Sequence, residues 1–266
     1  MPEGHTLHRL ARLHQKYYGK RPVRVSSPQG RFPAALVDGR VLTRAEAYGK
    51  HLFHVYAPDA IVHVHLGLYG TFTDAPLPPT LPVGQVRMRM VGETHWTDLR
   101  GPTRCEVLNA AERAELLARL GPDPLRRNAD PAAAYTRITR SKLPVAALLM
   151  EQKVLAGVGN VYRAELLFRH RVNPRTLGTS VTEAQWSAMW TDLVGLMKDG
   201  VKKGRIDTVR DEHLPHVTGR APRVDRHGGE VYVYRRTDQP CLICGTPVRK
   251  AELAARNLYW CPTCQA

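Results

Sequence analysis

The chain has 266 residues, with 39 Lys and Arg against 24 Asp and Glu, so its formal net charge is +15 with every histidine neutral. A hydrophobic fraction of 43% is typical of a globular protein and excludes an intrinsically disordered chain. The longest fully apolar run near mid-chain covers only residues 145–150, far short of the roughly 20 residues of a membrane span, and the first residues lack a signal-peptide pattern. We therefore expect a cytoplasmic protein without a membrane-spanning helix.

The excess of basic residues favours a polyanionic partner. These residues are dispersed along the chain and are mostly arginines, which bind phosphate groups in a bidentate manner. The pattern indicates nucleic acid rather than a membrane surface as the partner. The alternative at this point is a highly soluble enzyme whose charge has no partner.

The first predicted element is an amphipathic helix over residues 3–18, because apolar side chains recur at helical spacing and Gly19 provides a stop. Short segments of β-type patterning follow at residues 50–56, 61–66, 86–90 and 94–99, and turn residues separate them. They predict an antiparallel sandwich or barrel. A helix over residues 110–120 then meets a Gly-Pro-Asp-Pro stop signal at residues 121–124.

The chain from residue 131 to residue 200 is predicted to be helical. Pro144 begins an apolar helix, residues 160–170 form another, and Thr182 with Gln185 makes a capping box ahead of a third. The glycine-containing loop 153–160 could hold a phosphate at a helix amino terminus, and a plain turn explains it equally well. Residues 200–229 predict a mobile surface loop, and residues 230–234 alternate like a strand.

Four of the five cysteines form two matched pairs. Cys241 and Cys244 make one Cys-x-x-Cys, and Cys261 and Cys264 make a second after 16 intervening residues, which are enough for a hairpin. The spacing predicts one structural Zn²⁺ per chain with four thiolate ligands and no open position for catalysis. Two disulfides or a redox pair are the alternatives; a reducing cytosol disfavours the first, and the second does not require two matched pairs.

The amino terminus carries a possible nucleophile. Removal of Met1 would leave Pro2 with a secondary α-amine, and such a group titrates near pH 8, so part of it is unprotonated at neutral pH. Attack of this amine on a sugar C1′ would form an iminium, and the adjacent Glu3 could act as a general acid. Met-Pro-Glu is also a common start of proteins, so the pattern alone does not decide.

Several short motifs occur together in a specific order. They are Met1-Pro2-Glu3-Gly4, Ala47-Tyr48-Gly49-Lys50-His51-Leu52, His65-Leu66-Gly67-Leu68-Tyr69-Gly70, Arg119-Leu120-Gly121-Pro122-Asp123-Pro124-Leu125, Ala156-Gly157-Val158-Gly159-Asn160-Val161-Tyr162, Glu165, and the cysteine pairs with Arg256 five residues before Cys261. Over its whole length the chain resembles the formamidopyrimidine-DNA glycosylase and endonuclease VIII family of base excision repair enzymes.

The resemblance implies an α+β fold. We expect an amino-terminal helix plus antiparallel β-sandwich domain over residues 1–121, a linker over 122–131, a helix-two-turn-helix DNA-binding domain over 132–226, and a zinc finger on a β-hairpin over 227–266. It also implies a partner, DNA that contains damaged bases or abasic sites. We expect the protein to act as a monomer.

The resemblance also implies roles for individual residues. Pro2 is similar to the Schiff-base nucleophile and Glu3 to the proton donor. Lys50 is similar to a phosphate-binding proton donor for β-elimination, and Arg256 to the residue that serves δ-elimination. Three further positions match DNA contacts, namely Arg119, Asn160 and the apolar wedge Leu68, which fills the gap left by the extruded base.

Two departures narrow the resemblance. Thr6 stands where many members have a further Glu, and residues 98–104 do not match the Arg and Phe that fill the void beside the wedge in formamidopyrimidine glycosylases. The Gly-His start, Ala-Tyr-Gly-Lys and Leu-Tyr-Gly are similar to the endonuclease VIII branch instead. This branch implies a preference for oxidised pyrimidines.

Two other hypotheses remain at this point. A catalytically silent relative would bind damaged DNA through the same scaffold, and a retained Met1 would produce it. A zinc-ribbon RNA-binding protein would account for the charge and the cysteines, but not for the Pro2 and Lys50 motifs. His63 and His65 alternate on a predicted strand, and we expect them to be structural rather than a metal pair.

Overall fold

The structure is a computed structural model that describes residues 2–224 and 229–266. The chain divides into two compact units, Met1–Arg119 and Leu120–Ala266. Within the described residues, no helix has both the length and the apolarity needed to cross a bilayer.

The described part of the first unit, unit 1, contains two α-helices and two antiparallel sheets. Its elements are α1 (Gly4–Tyr18), β1 (Arg21–Pro22), β2 (Arg24–Ser26), β3 (Val41–Tyr48), β4 (His51–Tyr56), β5 (Ala60–His65), β6 (Thr71–Pro76), β7 (Val86–Val91), β8 (His95–Arg100), β9 (Arg104–Leu108) and α2 (Ala110–Ala118). One sheet has the order β1-β3-β4-β5-β9 and the other β2-β7-β8-β6. The predicted helix and β-sandwich are confirmed.

Alternation along the strands explains how unit 1 buries its core. In β4, Leu52, His54 and Tyr56 are buried and lie on the opposite face of the strand from His51, because successive side chains of a strand point to opposite faces. Helix α1 packs on β3 and β4 and buries Leu7.

A polar network lies inside this core. His14 Nδ1 and His54 Nε2 lie 2.9 Å apart, and His14 Nε2 lies 3.3 Å from Asp74 Oδ1. The Thr97 hydroxyl donates to the same Asp74 oxygen at 2.5 Å. Burial, together with the neighbouring His14, lowers the pKa of His54 well below its usual value, so the His54 ring is neutral at physiological pH.

The second unit, unit 2, is mostly helical and ends in a hairpin. Its elements are α3 (Pro131–Thr139), α4 (Val145–Leu148), α5 (Asn160–Arg169), α6 (Glu183–Lys203), α7 (Pro215–Thr218), β10 (Arg249–Leu253) and β11 (Arg256–Trp260). The predicted capping box of Thr182 and Gln185 begins α6. The helix predicted after Pro144 is a single turn, α4.

The strand predicted over residues 230–234 is wrong. Here the backbone N–H groups of Tyr232, Val233 and Tyr234 donate to the Glu165 carboxylate at 2.6–2.9 Å rather than to a neighbouring strand. Residues 231–234 are all buried, whereas the predicted strand would have alternated buried and exposed side chains. Within the segment 200–229, α7 and a short turn at Asp211–His213 are ordered elements, and residues 225–228 lie outside the described residues.

Candidate functional site

Pro2 and Glu3 directly precede the first turn of α1. Pro2 is half-buried, and Glu3 is fully buried, with its carbonyl accepting the Thr6 N–H at 2.9 Å. The positive end of the helix dipole disfavours protonation of an amine placed there and attracts a carboxylate. Burial lowers the pKa of the nearby His5 to about 4, so this imidazole adds no positive charge at neutral pH. The Thr6 hydroxyl lies 3.3 Å from His5 Nε2. Thr6 is the position at which the resemblance described above implies a further Glu.

Lys50 occupies the turn between β3 and β4. Tyr48 pairs with His51, so Gly49 and Lys50 form a two-residue turn, and Gly49 has the left-handed φ of +56° that such a turn requires. The Lys50 side chain is half-buried. A turn this short fixes the backbone from which the ammonium group extends.

The loop after β5 exposes two apolar side chains. Leu68 is 43% exposed and its neighbour Tyr69 is 85% exposed. Gly67 has φ +66°, and a Cβ on it would overlap the Thr103 hydroxyl, so only glycine fits at this position. The exposure agrees with a wedge role for Leu68, which stays a prediction. Tyr69 was not singled out from the sequence, because nothing in an isolated Leu-Tyr-Gly distinguishes an exposed ring from a buried one.

Arg119 ends α2, and its side chain is 71% exposed. Its guanidinium group is bonded to Glu115 one turn earlier on the same helix. An exposed pair of this kind is weak in water, so the guanidinium can exchange partners at small cost. Arg119 also lines a cavity that contains His51, His63 and His65.

In unit 2, Asn160 connects the start of α5 to the zinc hairpin. Its amide donates to the Asn257 carbonyl at 2.9 Å and its oxygen accepts from Arg163. Arg163 is fully buried and also donates to the Asn257 carbonyl, at 2.9 Å. Asn160 is itself only 4% exposed, so the geometry gives this side chain an internal role beside the predicted DNA contact. Sequence reasoning missed Arg163 and Asn257.

Arg256 is exposed at the tip of the hairpin. It pairs with Leu253 across a two-residue turn formed by Ala254 and Ala255, both with left-handed φ, +51° and +56°. The hydrogen bonds from the Asn160 and Arg163 side chains end on the carbonyl of Asn257, the residue that follows Arg256. The base of the Arg256 side chain is therefore held while its guanidinium group remains in solvent.

The Gln152 side chain forms hydrogen bonds with the backbone of the glycine-containing loop before α5. The Gly157 N–H donates to Gln152 Oε1 at 2.9 Å, and Gln152 Nε2 donates back to the Val158 carbonyl at 3.0 Å. The Gln152 side chain therefore shapes the loop from inside. The Gly157 amide is already bonded within the protein, so a phosphate at this loop would rely on other amides.

The four paired cysteines lie together at the base of the hairpin. All four sulfur atoms are within 4.8 Å of one another, and the Cys241–Cys264 and Cys244–Cys261 separations are 3.9 and 3.4 Å. A tetrahedron with Zn–S bonds of about 2.3 Å has edges of about 3.8 Å. The Cys264 N–H donates to Cys261 Sγ at 3.4 Å, as backbone amides commonly do toward metal-binding thiolates.

Comparison with known proteins places these features in one family. The model of the formamidopyrimidine-DNA glycosylase N-terminal domain matches residues 1–105, and that of the formamidopyrimidine-DNA glycosylase H2TH domain matches residues 120–211. A zinc finger found in FPG and IleRS matches residues 238–266. With the sulfur geometry, this match confirms the predicted structural zinc site.

Individual relatives agree with the domain matches. Endonuclease 8 1 of Mycobacterium tuberculosis (strain ATCC 25618 / H37Rv) is 56% identical over 274 residues, which cover 100% of both chains. Formamidopyrimidine-DNA glycosylase of Thermus thermophilus is 32% identical over 237 residues, 87% of this chain and 85% of that protein.

Solved structures share the fold along the whole chain. The crystal structure of the MutM (Fpg) protein from Thermus thermophilus has a TM-score of 0.77 at 28% identity and covers 99% of this chain and 98% of that one. A Lactococcus lactis Fpg in complex with DNA containing an abasic site has a TM-score of 0.79 at 18% identity and covers 99% of each chain. The chain belongs to the family of DNA glycosylases that includes formamidopyrimidine-DNA glycosylase and endonuclease 8.

Proposed function

We propose that this protein removes oxidised bases, preferentially pyrimidines, from DNA and then nicks the strand by β,δ-elimination. As a member of its family the chain is a DNA glycosylase of base excision repair. The observation that carries the finer proposal is the placement of Pro2 and the buried Glu3 immediately before α1. The pyrimidine preference rests on the resemblance to the endonuclease VIII branch and on the 56% identity to Endonuclease 8 1.

The first step joins the protein to the sugar. The unprotonated Pro2 nitrogen attacks C1′, the bond from C1′ to the base breaks, and Glu3 provides the proton for ring opening as the iminium forms. The base departs with the electron pair of its glycosidic bond and takes up the proton that the Pro2 nitrogen loses. The buried position of Glu3 keeps bulk water away from this proton transfer.

The iminium then allows the two eliminations. It acidifies the C2′ proton, and loss of that proton expels the 3′ oxygen as a 5′-phosphate on the downstream strand. A second elimination expels the 5′ oxygen and leaves a 3′-phosphate on the upstream strand. Lys50 binds the flanking phosphate and supplies a proton in the first elimination, and Arg256 serves the second. Leu68 fills the gap in the duplex, and Arg119 and Asn160 contact the DNA.

Borohydride trapping tests the nucleophile. The zinc-loaded protein with Met1 removed is incubated with a duplex carrying one abasic site, beside Pro2→Gly, a Met1-retaining form, and Pro22→Gly as a control at an exposed proline. We expect a covalent adduct for the processed protein and the control, and none for the other two. Binding of the duplex without an adduct or a nick would replace the proposal by a silent DNA-binding protein.

Substrate preference needs a second experiment. Matched duplexes carry one oxidised thymine or one oxidised guanine at the same position, and single-turnover rates of base release are compared. We expect the oxidised thymine to be released faster. Equal rates, or faster release of the guanine, would contradict the pyrimidine preference and leave the nucleophile assignment intact.

A further inference from the structure

The beginning of the chain carries a concentrated positive charge. Residues 2–24 contain six Lys and Arg and a single acidic residue, so their formal net charge of +5 is a third of the +15 of the whole chain. The acidic residue is the fully buried Glu3, and no Asp or Glu follows it within α1. The reaction proposed above uses none of these cations, so they need a separate explanation.

Three of these cations lie on the carboxyl-terminal half of α1 and just after it, and we call Arg12, Lys16 and Lys20 the α1 patch. Arg12 and Lys16 are four residues apart on the helix and therefore share a face. All three side chains are exposed, and in the described part of the chain none of them has an ion-pair partner. Three positive charges are thus available to a partner.

The α1 patch lies at the end of unit 1 opposite to Lys50. The Ala45 N–H donates to Gln15 Oε1 at 2.7 Å, and the Lys20 N–H donates to the Leu42 carbonyl at 2.6 Å. Helix α1 therefore runs antiparallel to β3, with its amino-terminal end toward the turn that carries Lys50. Six residues of extended chain separate Leu42 from the end of β3 at that turn, a distance of about 20 Å.

The surroundings of the α1 patch favour a nucleic acid as its partner. A basic amphipathic helix binds a membrane through its apolar face, but here Leu7, Ala11 and Tyr18 are buried in the core of unit 1. Protein interfaces have an apolar centre, whereas none of the large apolar side chains of residues 2–24 is exposed. Interfaces with DNA are polar and positively charged.

We propose that the α1 patch binds the phosphate backbone of a second DNA duplex while the first duplex occupies the site at the amino-terminal end of α1. Arg12, Lys16 and Lys20 provide salt-dependent contacts that do not read the base sequence. A protein that holds two duplexes passes directly from one to the other without first dissociating. This activity requires no step of base removal or strand nicking.

Stopped-flow competition tests the proposal. The full-length, zinc-loaded protein is bound to a short, undamaged, fluorescent duplex and is then mixed with unlabelled duplex at increasing concentrations. If the first duplex has to leave before the second binds, the observed dissociation rate is independent of the competitor concentration. We expect this rate to rise with competitor concentration instead, and the rise to weaken as the salt concentration increases.

Three double variants assign the effect to the α1 patch. Arg12→Gln with Lys16→Gln should lose the dependence on competitor concentration. Lys198→Gln with Lys202→Gln removes the same charge at the same spacing from exposed positions on α6 and should retain it. Arg12→Lys with Lys16→Arg retains both charges and should also retain it. The substituted side chains are all exposed, so circular dichroism should show the same fold for each variant.

A dissociation rate that does not depend on competitor concentration in the unmodified protein overturns the proposal. A dependence that persists in Arg12→Gln with Lys16→Gln, or that the α6 control loses equally, also overturns it. Fluorescence anisotropy measures the affinity for the short duplex alone. A larger loss of this affinity in the α1 variant than in the α6 control would assign the patch to the first duplex and contradict the proposal.

Vesicles of phosphatidylglycerol test the membrane alternative. Vesicle binding that only the Arg12→Gln, Lys16→Gln variant loses, together with a dissociation rate independent of competitor DNA, would identify a membrane as the partner and overturn the proposal. Because the experiment uses undamaged DNA and no chemical step, a failed borohydride trap would leave its result unaffected.

Discussion

At the scale of single residues, Glu165 holds together the middle of unit 2. Its two oxygens accept three backbone N–H groups from residues 232–234 and the Thr208 hydroxyl, which lies 2.6 Å away, and the carboxylate is fully buried. A buried charge is tolerated when hydrogen bonds surround it in this way. One side chain of α5 therefore binds three consecutive backbone amides of the segment that leads into the zinc finger.

Glu165→Gln should destabilise unit 2 by at least about 3 kcal/mol, because the amide nitrogen would face backbone donors and leave them unsatisfied. Urea denaturation measures the loss. Glu252→Gln, at an exposed carboxylate on β10, is the control and should change the free energy of unfolding by less than about 0.5 kcal/mol. Similar stabilities for the two variants would contradict the role given to Glu165.

His54 should make unit 1 sensitive to acid. Its pKa in the folded state lies well below the 6.5 of an unperturbed histidine, so below pH 6.5 the unfolded state binds one more proton than the folded state. The free energy of unfolding should fall with pH from 6.5 downward, and this residue alone contributes a slope of about 1.4 kcal/mol per pH unit.

Urea denaturation between pH 7.5 and pH 5 measures this slope. His54→Phe should reduce it by up to about 1.4 kcal/mol per pH unit, whereas His216→Phe, at an exposed histidine of unit 2, serves as the control. An unchanged slope in His54→Phe would show that His54 is charged in the folded protein.

At the scale of elements, the β10–β11 hairpin is well specified at its base and strained at its tip. The cysteines define the base, whereas Ala254 and Ala255 adopt left-handed backbone conformations that favour Asn and Gly. Replacing them by Asn-Gly should stabilise the hairpin by about 1 kcal/mol. Slower amide hydrogen exchange over residues 249–260 would show it. Ala251→Gly, within β10, should have the opposite effect, and faster exchange in the Asn-Gly variant would contradict the strain.

Sequence patterns predicted these elements to different degrees. The cysteine spacing, the capping box of α6 and the strands of unit 1 follow from local rules, and the structure confirms them. The strand predicted at 230–234 failed because its partner is Glu165, some 65 residues earlier, which no local pattern reveals. The hydrogen bonds that join Glu106, His63 and His51 likewise depend on strand register, which brings these three distant positions together.

The roles of the site residues, unlike the elements of the fold, cannot be read from the structure alone. The motifs located Pro2, Glu3 and Lys50 in the sequence, and the structure describes their local geometry. Their chemistry depends on bound DNA, and so their roles stay predictions. The internal bonds of Asn160 could not be predicted because Arg163 and Asn257 carry no motif of their own.

At the scale of the whole molecule, the net charge of +15 should dominate DNA affinity. Each phosphate neutralised by a cation releases counterions, so the logarithm of the affinity falls linearly with the logarithm of the salt concentration. Arg119→Gln should reduce the steepness of this line by about 0.9 if Arg119 contacts one phosphate.

Lys198→Gln removes the same charge from an exposed position on α6 and is the matched control. We expect it to leave the slope nearly unchanged, because it changes the net charge without removing a phosphate contact. Equal slopes for Arg119→Gln and the unmodified protein would show that Arg119 makes no phosphate contact.

The bonds from Asn160 and Arg163 end on a backbone carbonyl, that of Asn257, and not on a side chain. Every amino acid offers the same carbonyl, so substitutions at the hairpin tip would leave this attachment intact. Asn160 and Arg163 thus determine the position of the hairpin tip, whereas the residues of the tip itself determine which side chains it presents. Single mutations beside Arg256 can therefore change the side chains that the hairpin tip presents while the position of the tip is retained. This separation makes the hairpin tip a favourable starting point for directed evolution.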